Sequence, residues 1–130
     1  MTYSGQTTTI TRWQPWDYRD SSWHNSQISG YHIEALDGEI GKVDGATYDV
    51  GGSYLIVDTG PWIFGKKVML PAGVVSNIDH QNQRVFVERT KDQIKGAPTF
   101  DESMVNDQTY RTNLGNYYGE EGLGWYSKKM

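Results

Sequence analysis

Two short apolar runs and the turn between them set the pattern of the chain. Tyr54-Leu55-Ile56-Val57 is rich in β-formers and predicts a buried strand. Lys67-Val68-Met69-Leu70 predicts a second strand, ended by Pro71, which has no N–H to give a sheet ladder. Between them, Gly60-Pro61-Trp62-Ile63-Phe64-Gly65 has glycine at both ends and proline inside, the composition of a tight connection. Two large aromatics and an isoleucine at the tip of a turn either fold back over the sheet or meet a partner.

Alternation extends the β pattern on both sides. Tyr31, Ile33 and Ala35 alternate with His32 and Glu34, as in a half-buried strand. Asp37-Gly38 predicts a two-residue hairpin turn with positive φ. On the return strand, Ile40 and Val43 face inward but stand three apart, so Gly41 predicts a bulge. Gly45 predicts another before Ala46, Tyr48 and Val50. A long strand bent at glycines is what a small closed or nearly closed barrel needs to turn its corners. Gly51-Gly52 predicts the next turn, Ala72 to Val75 an irregular turn, and Ile78 the start of a short strand. Val85 and Val87 alternate with Arg84, Phe86 and Glu88 in a last one. Short turns between neighbouring runs predict an antiparallel meander.

Helical signals follow the strands. Thr90-Lys91-Asp92-Gln93 fits a capping box, with Ile94 inward and Gly96 and Pro98 as stops. Asp107 predicts the cap of a helix in which Tyr110, Leu114 and Tyr117 share a face, and Gly119 to Met130 reads as a frayed end. Residues 1–29 are rich in Ser, Thr and Gln and predict a flexible arm. Trp13, Trp16 and Trp23 within it read either as a lid on the sheet, the preferred reading, or as a recognition segment. The expected organisation is therefore an N-terminal arm (1–29), a mainly all-β domain (30–101), and a C-terminal helix with its tail (102–130).

Several of these pieces, in order, resemble the PRC-barrel family. They are Gly30-Tyr31, then Asp37-Gly38-Glu39-Ile40-Gly41-Lys42-Val43-Asp44, then Tyr54 to Gly60 and Gly65 to Pro71. Asp79 with Arg84-Val85-Phe86-Val87 and Thr90 to Pro98 complete the set. The family includes the cytoplasmic domain of the photosynthetic reaction centre H subunit and the C-terminal domain of a ribosome maturation factor. The resemblance implies a small antiparallel β-barrel of about five to six bent strands, no inherent catalysis, and an adaptor role on other macromolecules. The chain looks most like the stand-alone bacterial members, some of them stress-associated. It shows neither the membrane helix of the one protein nor the N-terminal domain of the other.

Composition narrows the chemistry. The 130 residues are 36% hydrophobic and contain no cysteine, which excludes disulfides, thiolate chemistry and cysteine-based zinc sites. No apolar run approaches the roughly 18 residues of a membrane span, and Met1 to Trp13 has no apolar signal segment, so the expected location is cytoplasmic. The net charge is −4, and residues 30–100 carry seven Lys or Arg against nine Asp or Glu. That balance weighs against nucleic acid, which demands a basic excess. His24, His32 and His80 lack the paired spacing of metal ligands. Asp37, Glu39 and Asp44 do not follow a calcium-loop spacing. Asp58 reads as an acceptor of backbone N–H groups at the Gly60 turn. Ser76 near His80 lacks an oxyanion loop. No catalytic residue, cofactor or metal is expected.

The expected function is thus a non-enzymatic module that binds a protein, with a second copy of itself as one candidate in a homodimer. Its contact residues are Trp62, Ile63, Phe64, Lys66 and Lys67, aromatic anchors with a basic rim. The alternatives are a small-molecule-binding protein with a pocket between sheet and tails, or an RNA- or ribosome-associated factor.

Overall fold

The computed structural model describes residues 14–25, 27–47, 51–63 and 66–129. Six strands form one sheet: β1 (His32–Ala35), β2 (Gly38–Ala46), β3 (Tyr54–Asp58), β4 (Lys67–Pro71), β5 (Val75–Asp79) and β6 (Arg84–Val87). Two helices follow, α1 (Lys91–Lys95) and α2 (Gln108–Lys129), with short 3-10 turns at Ser21–Asn25, Ala72–Val74 and Glu102–Met104.

The strand order is β4-β3-β2-β1-β6-β5. Four of the pairings are antiparallel, but β1 and β6 run parallel, with His32 opposite Arg84 and Glu34 opposite Phe86. The sheet is therefore mixed, which corrects the expectation of an antiparallel meander. It is two meanders joined through a parallel pair. The expected barrel is corrected as well, because β4 and β5 occupy the two ends of the order and do not pair. Yet only the turn Ala72–Val74 separates them in sequence. Six flat strands would put their edges about 24 Å apart at a spacing of about 4.8 Å. Four residues from Pro71 to Val75 reach at most about 14 Å. The sheet must curl strongly for the chain to connect, without closing its hydrogen-bond ladder.

The glycine bulges supply that bending. Ile33 pairs with Gly41 and Glu34 with Glu39, so Ile40 is the extra residue. Val43 pairs with Val57 and Gly45 with Ile56, so Asp44 is the second. Each bulge shifts the alternation by one, which is how Ile40 and Val43 both reach the core, at 1% and 3% exposure. Gly41 is irreplaceable on two counts. Its φ is +144°, and a Cβ there would stand 2.0 Å from the Asp58 carbonyl oxygen. The β1–β2 hairpin forms one residue earlier than expected. Leu36 and Asp37 are the turn, Gly38 opens β2 at a φ of +145°, and Leu36 is left exposed. Tyr48 and Val50, expected to extend β2, lie outside the described residues.

The core gathers Ile33, Leu55, Val57, Leu70, Val75, Val85 and their neighbours from all six strands. α1 forms as the sequence predicts. The Thr90 hydroxyl accepts from the Gln93 N–H, and the Gln93 side chain accepts from the Thr90 N–H. Ile94 is buried. α2 is longer than expected, because the chain from Gly119 continues the helix instead of fraying. Its inward face is Tyr110, Leu114 and Tyr118, each under a tenth exposed, while Tyr117 is only partly buried.

Where it is described, the N-terminal segment is not a free arm. The Pro15 carbonyl accepts from the Gly73 N–H and the Trp16 carbonyl from the Ser53 N–H, both at 2.8 Å. The Asp17 carboxylate accepts from the Gly51 N–H, and Tyr18 and Ile28 are core residues. Gly73 permits the close approach, since a Cβ there would meet the Gln14 carbonyl oxygen at 2.4 Å. Trp16 and Trp23 pack partly buried against the core; Trp13 lies outside the described residues.

Candidate functional site

The turn between β3 and β4 is built by two side chains that precede it. Asp58 accepts from the Gly60 N–H at 3.0 Å, as its position after an apolar run predicts. The Thr59 hydroxyl, 1% exposed, lies 2.7 Å from the Ile63 carbonyl and 2.8 Å from the Lys66 carbonyl. Backbone bonds from Trp62 N–H to the Thr59 carbonyl and from Lys66 N–H to the Ile63 carbonyl, both 3.0 Å, tighten it further. These bonds tie Ile63 and Lys66, on either side of the loop's tip, to Thr59.

The five residues singled out in the sequence take different positions. Trp62 is partly buried against the core, and the Lys91 ammonium stands 5.5 Å from its ring centre, a cation–π contact. Ile63 lines a groove. Phe64 lies outside the described residues. Lys66 is exposed at the groove's rim and makes no ion pair among the described residues. Lys67 begins β4 and is already engaged, its Nζ 2.9 Å from the Asp44 carboxylate and 3.5 Å from that of Glu102. The hydrogen bond to Asp44, chiefly, holds the Lys67 ammonium above its ordinary pKa.

The groove holds about 160 Å³. One wall is Ile63, Lys66 and β4 through Val68 and Met69. The other is Ile94 and Lys95 of α1, with the segment from Ala97 to Phe100 and Tyr118 of α2. Phe100 is itself half-covered, tilted against Tyr110 at 6.1 Å between ring centres. This second wall escaped sequence reasoning, because it is assembled from three separate segments. The usable signal was local: the capping box fixes α1, and so decides that Ile94 points in and Lys95 out.

α2 is fastened at this wall by its tyrosines. The Tyr117 hydroxyl donates to the Gln93 carbonyl at 2.6 Å, and the Tyr110 hydroxyl to the Pro98 carbonyl at 3.4 Å. Burial pushes the Tyr110 hydroxyl up to about 12. Tyr118 is shifted further in the same direction by its complete burial, and its hydroxyl finds no hydrogen-bond partner among the described residues. Arg89 donates to the Tyr118 carbonyl at 3.0 Å; desolvation lowers its pKa from the ordinary value.

The remaining polar candidates are spread over the sheet. His32 Nδ1 donates to Glu39 at 2.6 Å, and Arg84 bridges Glu34 and Glu39. His80 Nδ1 and the Tyr31 hydroxyl are 2.9 Å apart. The Ser76 hydroxyl donates to the Phe86 carbonyl at 3.2 Å. Among the described residues no group of three or more His, Asp or Glu is placed to hold a metal ion. No helix there is long and apolar enough to cross a membrane. The chain matches no protein-family model and no curated protein.

Proposed function

We propose that the chain is a non-enzymatic interaction module of the PRC-barrel type, a cytoplasmic adaptor that docks on a protein through the β3–β4 loop. The observation that carries the reading is the loop itself. Thr59 and Asp58 fasten the turn that carries Trp62 and Ile63, beside a groove lined by lysines and apolar side chains. Rigid aromatic anchors with a polar border are where binding energy concentrates in protein interfaces. The strong curl of a glycine-bent six-stranded sheet supports the family resemblance. The non-enzymatic part is favoured by how the one Ser–His candidate is used, with Ser76 spent on a backbone carbonyl and His80 beside Tyr31.

The test is the double variant Trp62→Ala/Phe64→Ala. Association with the partner, including a second copy measured by sedimentation velocity, should fall at least tenfold while the circular dichroism spectrum is retained. A variant that unfolds assigns the loop to the core and removes it as a docking surface.

A further inference from the structure

The groove beside the loop has a size and a charge pattern that select an occupant. An apolar cavity of roughly 150 Å³ takes up one benzene ring, whereas sites for drug-sized ligands run to about 300–1,000 Å³. At about 160 Å³, this groove suits one aromatic or branched side chain. Both of its walls carry apolar side chains, Ile63 and Met69 on one and Ile94 and Phe100 on the other. Its rim is basic: Lys66, Lys67 and Lys95 all line it, in a chain whose net charge is −4.

The chain itself shows what this rim accepts. Phe100 forms part of the groove wall, and Glu102, two residues on, sets its carboxylate 3.5 Å from Lys67. Lys67, which Asp44 also holds at 2.9 Å, is thus paired with carboxylates from within the chain. Lys66 and Lys95 are exposed, and neither makes an ion pair among the described residues.

We propose that the groove between β4, α1 and the Ala97–Phe100 segment receives one phenylalanine- or leucine-sized side chain of an acidic protein segment, whose flanking carboxylates pair with Lys66 and Lys95. The inference rests on the interaction reading above and specifies the partner's chemistry. The anchor supplies apolar burial, and the lysines supply register and attraction, which salt weakens.

The experiment uses the full chain and three fluorescein-labelled peptides, read by anisotropy. The first has one phenylalanine with two acidic residues on each side. The second replaces the phenylalanine by alanine, and the third replaces the acids by lysines. The first peptide should bind at least tenfold tighter than either control, and its affinity should drop as salt rises from 50 to 500 mM. Lys66→Glu/Lys95→Glu should reverse the preference in favour of the lysine-flanked peptide. Lys66→Glu alone, at an exposed position, serves if the double variant fails to fold, and should at least halve the discrimination. Equal binding of all three peptides, no binding at millimolar concentration, or a preference untouched by charge reversal overturns the inference. If the peptides fail while Trp62→Ala/Phe64→Ala still weakens association, the groove assignment falls and the interaction reading stands. If association is insensitive as well, both fall.

Discussion

The guanidinium carbon of Arg111 lies 4.7 Å from the ring centre of Trp16 and 5.2 Å from that of Tyr54. One side chain of α2 thus clamps the N-terminal segment against β3, and its Nη2 also donates to the Gly52 carbonyl at 2.9 Å. Each cation–π contact contributes about 0.5–2 kcal/mol, and a charged hydrogen bond to a carbonyl about 1.5–3. Arg111→Ala should therefore destabilise the fold by at least about 2 kcal/mol in urea denaturation and shift the tryptophan emission to the red. A loss below about 0.5 kcal/mol with unchanged emission would show that the segment is held without the clamp.

Two glycines in β2 should respond in opposite ways. Gly41→Ala places a methyl against the Asp58 carbonyl at a φ of +144° and should cost at least about 3 kcal/mol. A Cβ at Gly45 would meet nothing within 4 Å among the described residues, so Gly45→Ala should change stability by less than about 1 kcal/mol. Thermal unfolding of the pair reads the contrast directly, and similar losses at both sites would contradict the bulge geometry.

Neighbouring tyrosines of α2 offer a second contrast. The Tyr118 hydroxyl is buried without a partner among the described residues, so Tyr118→Phe removes a desolvated group and should leave stability unchanged or raise it by about 1 kcal/mol. Tyr117→Phe deletes the bond to the Gln93 carbonyl and should cost about 1 kcal/mol. Chemical denaturation of both variants decides it.

Acid should weaken the fold through Glu39. The hydrogen bond from His32, with Arg84 adding, holds its carboxyl below the ordinary 4.5. A carboxyl with a lower pKa when folded stabilises the native state above its unfolded value. That contribution is lost as the pH falls through the folded value. Urea titrations from pH 7 down to about pH 3 should show a steeper loss below about pH 4.5 in the wild type than in Glu39→Gln. Asp20, Asp79 and Asp101, held low by hydrogen bonds from Ser22, Asn82 and Ser103, titrate alike in both proteins and cancel. Parallel curves would mean that the His32–Glu39 bond contributes nothing to stability.

Much of the local structure was legible because local chemistry decides it. Thr90 and Gln93 cap α1 through their own backbone, Gly41 and Gly45 answer a break in alternation within one strand, and Asp58 follows from the Gly60 turn it supports. What was not legible depends on distant segments. Nothing in His32–Glu34 or Arg84–Phe86 marks them as a parallel pair, because the pairing joins segments some fifty residues apart and neither carries a local signal for the other. Tyr118 displaces Tyr117 from the expected inward face, since α2 must meet both Arg89 and the groove wall. The Trp62 loop stood out by composition, but Ile94, Lys95 and Phe100 are separated from it by the whole of β4 to β6.

Whether the β3–β4 loop is a docking surface is most directly tested by quantitative affinity capture from the native host. The full chain is immobilised as wild type, as Trp62→Ala/Phe64→Ala, and as the control Gln81→Ala in the β5–β6 turn, with folding checked for each. The expected result is a protein retained by wild type and control and depleted at least tenfold on the loop variant. An identical set of retained proteins on all three folded chains would contradict the docking role of the loop.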